Sequence, residues 1–187
     1  MPRSSLCRPL FALALASAAA MSASAAVEPD AASVFVQAGV GEDAVRVATV
    51  GVAWGLPWPG SIDRTHGVST RLELFASGWR TRRGGGEHQW LLQVGVVPVL
   101  RVRFDDGRSP WFMEAGIGLA LLNAEMRTPD RTFSTRLNFS DNLGAGRSFG
   151  AQGEHEVSLH LQHTSNAGLR EPNPGLTLLL LRYAHRF

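Results

Sequence analysis

Apolar and polar residues alternate along most of this chain with a period of two, which is the period of a β-strand. Short segments rich in Gly, Pro, Asn and Asp separate the alternating stretches and are typical of turns. The pattern predicts eight strands: Ala32–Val40, Ala44–Trp54, Ser69–Trp79, Gln89–Phe104, Trp111–Leu122, Thr132–Asn138, Glu156–Ser165 and Leu176–Phe187. An even number of consecutive strands without helices between them predicts an all-β, antiparallel, up-and-down barrel.

The predicted fifth strand has two chemically different faces. One face is apolar along its whole length, with Met113, Ala115, Ile117, Leu119 and Leu121. The other carries small residues and one charge, with Phe112, Glu114, Gly116, Gly118 and Ala120. A soluble barrel turns its apolar face inward, whereas a transmembrane barrel turns that face toward lipid. The alternation alone does not decide between these two arrangements.

The two ends of the chain favour the transmembrane arrangement. Residues 1–26 have arginines, an apolar centre and a small-residue end, which predicts a secretory signal peptide and leaves residues 27–187 for the barrel. Cys7 lies before that apolar centre, so the mature chain is expected to have no cysteine at all. The last predicted strand ends in Phe187, which resembles the insertion signal of bacterial outer-membrane barrels. The expected location is therefore the bacterial outer membrane.

The charge balance argues against a nucleic-acid-binding protein. The chain has 18 basic and 16 acidic residues, and every basic residue is Arg. Arg3 and Arg8 lie in the predicted signal peptide, so the mature chain is balanced. A nucleic-acid-binding domain normally carries a basic excess or stripe.

An eight-stranded barrel has an interior that side chains fill, so it is not expected to be a pore. The alternation predicts that five charged residues point inward and pair with one another: Arg71, Glu73, Arg101, Arg103 and Glu114. The five tryptophans lie near predicted strand ends, where aromatic belts meet the membrane surface: Trp54, Trp58, Trp79, Trp90 and Trp111.

His163 and Ser165 are two residues apart on the predicted seventh strand and therefore share a face with Leu159 and Leu161. In a barrel that face looks at lipid, and the end of the seventh strand is expected at the extracellular rim. Serine becomes a strong nucleophile when a histidine removes its proton, so the pair is a candidate esterase site. The two residue types also occur together by chance at strand ends near water.

The longer stretch around this pair resembles a known family. The segments His163-Thr-Ser165-Asn166-Ala-Gly168 and Pro172-Asn173-Pro174-Gly175 look like the signature of the outer-membrane lipid A 3-O-deacylases, the PagL family. The resemblance implies an eight-stranded barrel that hydrolyses the ester-linked acyl chain at the 3-position of lipid A. It covers the C-terminal half specifically and the N-terminal half mainly by strand pattern.

The resemblance also implies roles for individual residues. Ser165 matches the family's nucleophile and His163 its base. Asn166 and the backbone of Gly168 match positions that support the oxyanion, and Asn173 matches a polar residue of the site. This mechanism uses no metal or cofactor. The implied partners are lipid A in lipopolysaccharide and the outer-membrane lipids, and the sequence leaves a homodimer open.

At the third position of the triad this chain departs from the family, because Thr177 stands where the family pattern has a Glu. A threonine can accept a hydrogen bond from the imidazole, but it brings no negative charge to the imidazolium. Glu171 in the same loop is an alternative acid. Two rival functions stay open at this point, a non-catalytic outer-membrane barrel with a decayed triad and a soluble periplasmic barrel that binds a small apolar ligand.

Overall fold

The computed structural model describes residues 31–56 and 66–187. The strands are β1 (Ser33–Gly41), β2 (Arg46–Gly55), β3 (Val68–Arg82), β4 (His88–Arg103), β5 (Trp111–Leu122), β6 (Leu137–Phe149), β7 (His155–Ser165) and β8 (Leu176–Arg186). Each strand pairs antiparallel with its neighbours in the chain, and β1 pairs with β8, so the sheet closes into an eight-stranded barrel. The predicted signal peptide lies outside the described residues. None of the helices in the described ranges is long and apolar enough to cross a membrane.

The position of the sixth strand corrects the sequence prediction. The sequence predicts Thr132–Asn138, whereas β6 spans Leu137–Phe149. Its asparagines, serines and glycines look like a loop, yet they occupy the inward positions of a regular strand. Gly144 and Gly146 pack against neighbouring side chains of β7, where a Cβ atom would lie only 2.6 and 2.5 Å from the nearest atoms. Close packing across the barrel, which local sequence does not reveal, keeps this polar segment in the sheet.

The apolar faces of the strands point outward, as a transmembrane barrel requires. On β5, Ile117 is 67% exposed, whereas Glu114 and Phe112 are 5% and 1% exposed. The same alternation holds on β7, where Leu159 and Leu161 are exposed and the residues between them are buried. The alternative of a soluble barrel with inward apolar faces is therefore wrong.

Charged side chains fill the middle of the barrel, and the inward orientation predicted for five of them is confirmed. Their pairing includes partners outside the predicted set. Arg101 donates to Glu114 Oε2 from Nε at 2.8 Å, and its Nη1 donates to both oxygens of Glu156 at 2.8 and 2.9 Å. Glu73 accepts two hydrogen bonds from Arg182 at 2.7 and 3.1 Å. Glu156 and Arg182 complete the network, and neither is among the charges that the sequence predicts to point inward. Pairing of this kind offsets the large cost of placing charges away from water.

One end of the barrel is closed by an apolar cluster. Residues 123–136, between β5 and β6, fold over this end and bury Met126 and Phe133 against the inner wall. We call this end the site rim; residues 42–45, 83–87, 123–136 and 166–175 form it. The segment predicted as the sixth strand is thus largely part of this cover.

The tryptophans are only partly placed as an aromatic belt. Trp90 and Trp111 are exposed on the outer wall, at 71% and 56%, and Trp54 is half-buried. Trp79 is fully buried inside the barrel, which contradicts the prediction for it. Its position follows from the period of two, because it shares the inward face of β3 with Arg71. Trp58 lies outside the described residues.

Candidate active site

His163 and Ser165 both lie on the outer face of β7, at its end on the site rim. Each is half-buried. Gln162, which precedes the pair, and Thr164, which lies between its members, point inward and are buried. The period of two thus places the pair on the lipid-facing wall, as the sequence predicts. An ester in the membrane can reach this wall from the side.

The imidazole of His163 is held from the neighbouring strand. His163 is directly opposite Thr177 in the β7–β8 pairing, and its Nδ1 lies 3.0 Å from Thr177 Oγ1. When Nδ1 carries the hydrogen and donates it to Thr177, Nε2 is left as the basic nitrogen. The Thr177 hydroxyl can also donate to Nδ1, so this contact orients the ring without selecting its tautomer.

Gly175 lies against the imidazole on the side that faces Ser165. A Cβ atom on Gly175 would be 2.9 Å from His163 Nε2 and 3.8 Å from Ser165 Cβ. The basic nitrogen and the serine therefore approach the same small space, which exists because residue 175 has no side chain. Gly175 also has a φ of 62°, a left-handed conformation that favours glycine. In this arrangement the Ser165 hydroxyl accepts a hydrogen bond from the Ala167 N–H at 3.4 Å.

Asn166 organises the loop that follows Ser165. Its side chain is buried and donates to Ser134 Oγ at 3.0 Å and to the Arg170 carbonyl at 2.7 Å. Its Oδ1 accepts from the Gly168 N–H at 3.0 Å, which closes a tight turn. The Asn166 amide and the Gly168 N–H are thus both engaged within the loop and hold the backbone next to Ser165.

The other loop residues that the sequence analysis named have supporting contacts. Asn173 Oδ1 accepts from the Asn166 N–H at 2.9 Å, and so joins the two halves of the loop. Glu171 accepts from the Asn173 N–H at 3.0 Å and is exposed. The structure thus places the Glu171 carboxylate in the loop and gives it no hydrogen bond to His163.

Four residues of this region were missed by sequence reasoning. Glu42 accepts from the Thr177 N–H at 3.0 Å, although 135 positions separate the two residues. Arg131 donates to the Gly175 carbonyl at 2.8 Å, and Ser134 contacts Asn166. Asp141 is the β6 residue directly opposite His163. No local signal connects Glu42, Arg131 and Ser134 to this region, because closure of the barrel and the folding of residues 123–136 over its end bring them there. Asp141 comes opposite His163 through the pairing of β6 with β7.

No group of three or more His, Cys, Asp and Glu side chains that could hold a metal ion occurs in residues 31–56 and 66–187. What the arrangement offers is a serine hydroxyl, an oriented imidazole and a tightly held loop on a membrane-facing wall. A closed eight-stranded barrel with an outward apolar face and this surface site defines an outer-membrane β-barrel with the groups of a hydrolase.

Comparisons with known proteins identify the family. The family model described as Lipid A 3-O-deacylase (PagL) matches residues 48–186. The lipid A deacylase PagL of Pseudomonas aeruginosa is 31% identical over 174 residues, which cover 91% of this chain and 95% of that protein. The lipid A deacylase PagL of Bordetella bronchiseptica is 29% identical over 185 residues, covering 96% of each chain. A crystal structure of the outer membrane enzyme PagL superposes with a TM-score of 0.68 at 28% identity, covering 83% of this chain and 99% of that one. The chain belongs to the lipid A 3-O-deacylase (PagL) family.

Proposed function

We propose that this family member hydrolyses the ester at the 3-position of lipid A with Ser165 as nucleophile and His163 as general base. The observation that carries the proposal is the convergence of His163 Nε2 and Ser165 on the space beside Gly175. Thr177 supports the role of His163 by holding Nδ1 at 3.0 Å. Hydrogen bonds between catalytic groups often tighten only when substrate is bound, so the absence of a direct Ser165–His163 bond in the described residues is compatible with this role.

The reaction follows from these positions. Ser165 Oγ attacks the acyl carbonyl carbon while His163 Nε2 takes the hydroxyl proton. The tetrahedral intermediate then expels the oxygen at the 3-position of the sugar, which receives the proton from His163. Water, activated by the same imidazole, releases the hydroxy fatty acid and regenerates the serine. The products are one free fatty acid and a lipid A with a free 3-hydroxyl group.

Backbone N–H groups of the loop after Ser165 are the proposed oxyanion donors. The Ala167 N–H lies within 3.4 Å of Ser165 Oγ and is therefore next to the position that the developing negative charge would occupy. Asn166 and Gly168, with Asn173, keep this turn in shape through their mutual hydrogen bonds. The site rim is proposed to face the outside of the cell, where the lipid A of the outer leaflet would reach the pair.

The test is mass spectrometry of lipid A incubated with the refolded protein in detergent. The native chain is expected to remove one ester-linked 3-hydroxyacyl chain. Ser165→Ala and His163→Ala are expected to remove none, while both variants keep the heat-modifiable gel mobility of a folded barrel. If Ser165→Ala released the fatty acid as fast as the native chain, Ser165 would not be the nucleophile.

A further inference from the structure

The catalytic histidine of this chain lacks a carboxylate at the position where the family pattern has one. Thr177 Oγ1 meets His163 Nδ1 at 3.0 Å, but a neutral hydroxyl does not balance the positive imidazolium that forms during the reaction. A nearby negative charge would stabilise that state. Two acidic residues lie near His163 or its partner Thr177, namely Glu42 and Asp141.

Glu42 meets the same residue from the other side. Its Oε2 accepts a hydrogen bond from the Thr177 N–H at 3.0 Å, while the Thr177 hydroxyl contacts His163. The carboxylate and the imidazole are therefore bound to two atoms of one residue. We propose that Glu42 is the acid of this site and acts through Thr177 as a positioning residue for His163. This inference rests on the proposed Ser165–His163 chemistry.

Glu42 belongs to a cluster of two carboxylates and one guanidinium. Arg131 donates to Glu42 Oε2 and Oε1, at 3.0 Å each, and its Nε lies 3.2 Å from Asp43 Oδ2. The three groups together carry one formal negative charge, and the two-point pairing with Arg131 weakens the charge that Glu42 presents to Thr177. Arg131 also donates to the Gly175 carbonyl at 2.8 Å, which connects this cluster to the glycine beside the imidazole.

Glu42 begins the hairpin turn between β1 and β2. Asp43 and Ala44 both have positive φ angles, 54° and 56°, and the Val45 N–H donates to the Glu42 carbonyl at 3.1 Å, as in the type I′ turns that join paired strands. Thr128 of the cover donates to Asp43 Oδ2 at 2.7 Å and so holds the turn against the rim. These contacts keep the Glu42 carboxylate beside the N–H of Thr177 at the start of β8.

The size of the effect is limited by exposure. The Glu42 side chain is 45% exposed, and its charge reaches the imidazole through one intervening residue. Water and salt weaken such an interaction strongly. Loss of Glu42 is therefore expected to cost about tenfold in kcat, well below the roughly 10⁴-fold that follows loss of the acid in a direct triad.

Asp141 is the competing acid, because it lies directly opposite His163 on β6. In the part of the chain that the structure describes, no hydrogen bond joins Asp141 to the imidazole, whereas Thr177 links Glu42 to it. Asp141 lies on β6 beside His163, whereas Glu42 lies in the β1–β2 turn and contacts Thr177 of β8 on the other side. Separate substitutions therefore distinguish them.

The experiment measures kcat and KM for release of fatty acid from lipid A in detergent by the full-length refolded chain. Glu42→Gln is expected to lower kcat about tenfold with KM within about twofold, since it removes charge and keeps shape. Glu87→Gln, an exposed acid on the same rim, is the matched control and is expected to leave both values unchanged. Adding Thr177→Glu to Glu42→Gln is expected to restore kcat, because it brings a carboxylate directly to the imidazole.

Three results would overturn the role of Glu42. These are an unchanged kcat in Glu42→Gln, a loss that Thr177→Glu does not restore, and a fall in kcat with Asp141→Asn while Glu42→Gln stays active. Ser165→Ala is measured in parallel. If it retained activity, the serine mechanism itself would fail; if it were inactive while Glu42→Gln kept its full kcat, only the role of Glu42 would fail.

Discussion

The imidazole of His163 packs directly against Gly175 and fills the space that a side chain at position 175 would occupy. A Cβ atom there would lie 2.7 Å from His163 Cε1 and 2.9 Å from Nε2, both well inside contact distance. The glycine therefore determines where the imidazole of His163 lies relative to Ser165. Its role is steric as well as conformational, since it also has a positive φ.

Gly175→Ala is accordingly expected to reduce kcat by about 100-fold, because a displacement of about 1 Å at a catalytic group has a cost of this order. Gly85→Ala is the matched control, since Gly85 lies on the same rim, has a φ of 84° and has nothing within 4 Å of an added Cβ. Lipid A deacylation by both variants is measured beside their heat-modifiable mobility. Equal activities of the two variants would contradict the steric role of Gly175.

Asn166→Ala is expected to lower kcat by about 100-fold, comparable to loss of an oxyanion-hole donor. The buried side chain makes hydrogen bonds to Ser134, Arg170 and Gly168, and these shape the turn next to Ser165. Asn123→Ala is the control, because Asn123 holds another segment of the site rim by accepting from the Leu92 N–H. An equal fall in kcat in both variants would indicate that the whole rim had loosened and would contradict a specific role of Asn166.

Removing the charge of Glu156 is expected to destabilise the barrel. Glu156 is 2% exposed and pairs with Arg101, Arg103 and Arg186. Arg101 keeps Glu114 as a partner in Glu156→Gln, but the positive charge of Arg103 and Arg186 would lose the carboxylate that balances it. The free energy of unfolding is expected to fall by about 3 kcal/mol or more. Urea unfolding of the refolded chain in detergent, followed by gel mobility, measures the change.

The control for that experiment is Asp105→Asn. Asp105 pairs with Arg108 at 2.8 Å in a turn where both side chains are more than 60% exposed, at 64% and 67%. Such a surface pair is expected to contribute about 1 kcal/mol or less. A destabilisation of the same size in both variants would show that the interior network contributes no more than a surface ion pair.

Ile117→Arg tests the orientation of the wall. Ile117 is at the middle of β5 and 67% exposed on the outer face. An arginine at this depth in the bilayer is expected to destabilise the folded barrel, lowering its free energy of unfolding by about 2–4 kcal/mol. Leu169→Arg, in the loop between β7 and β8 where Leu169 is 79% exposed, is expected to have little effect. Folding into vesicles of defined lipid compares the two, and equal yields would argue against a lipid contact at Ile117.

Local sequence determined the architecture of this protein. The period of two separates the apolar from the polar face of β5 and β7, and the signal-peptide and C-terminal patterns favour an outward apolar face, which predicts that Arg101 and Glu114 point inward. Alternation is a property of neighbouring residues, so one chain is enough to reveal it. The residues that resemble the family's site are also local, since they lie in one continuous segment from His163 to Gly175.

Only the tertiary structure decided which distant residues complete the site. Glu42 and Thr177 are 135 positions apart, and Arg131 and Glu42 are 89 apart, yet both pairs are hydrogen-bonded. The closure of β1 on β8 and the folding of residues 123–136 over the rim produce these contacts. The polar segment of β6 likewise becomes a strand because it pairs with β5 and β7. These features depend on long-range pairing in a closed sheet, which a local pattern of alternation does not encode.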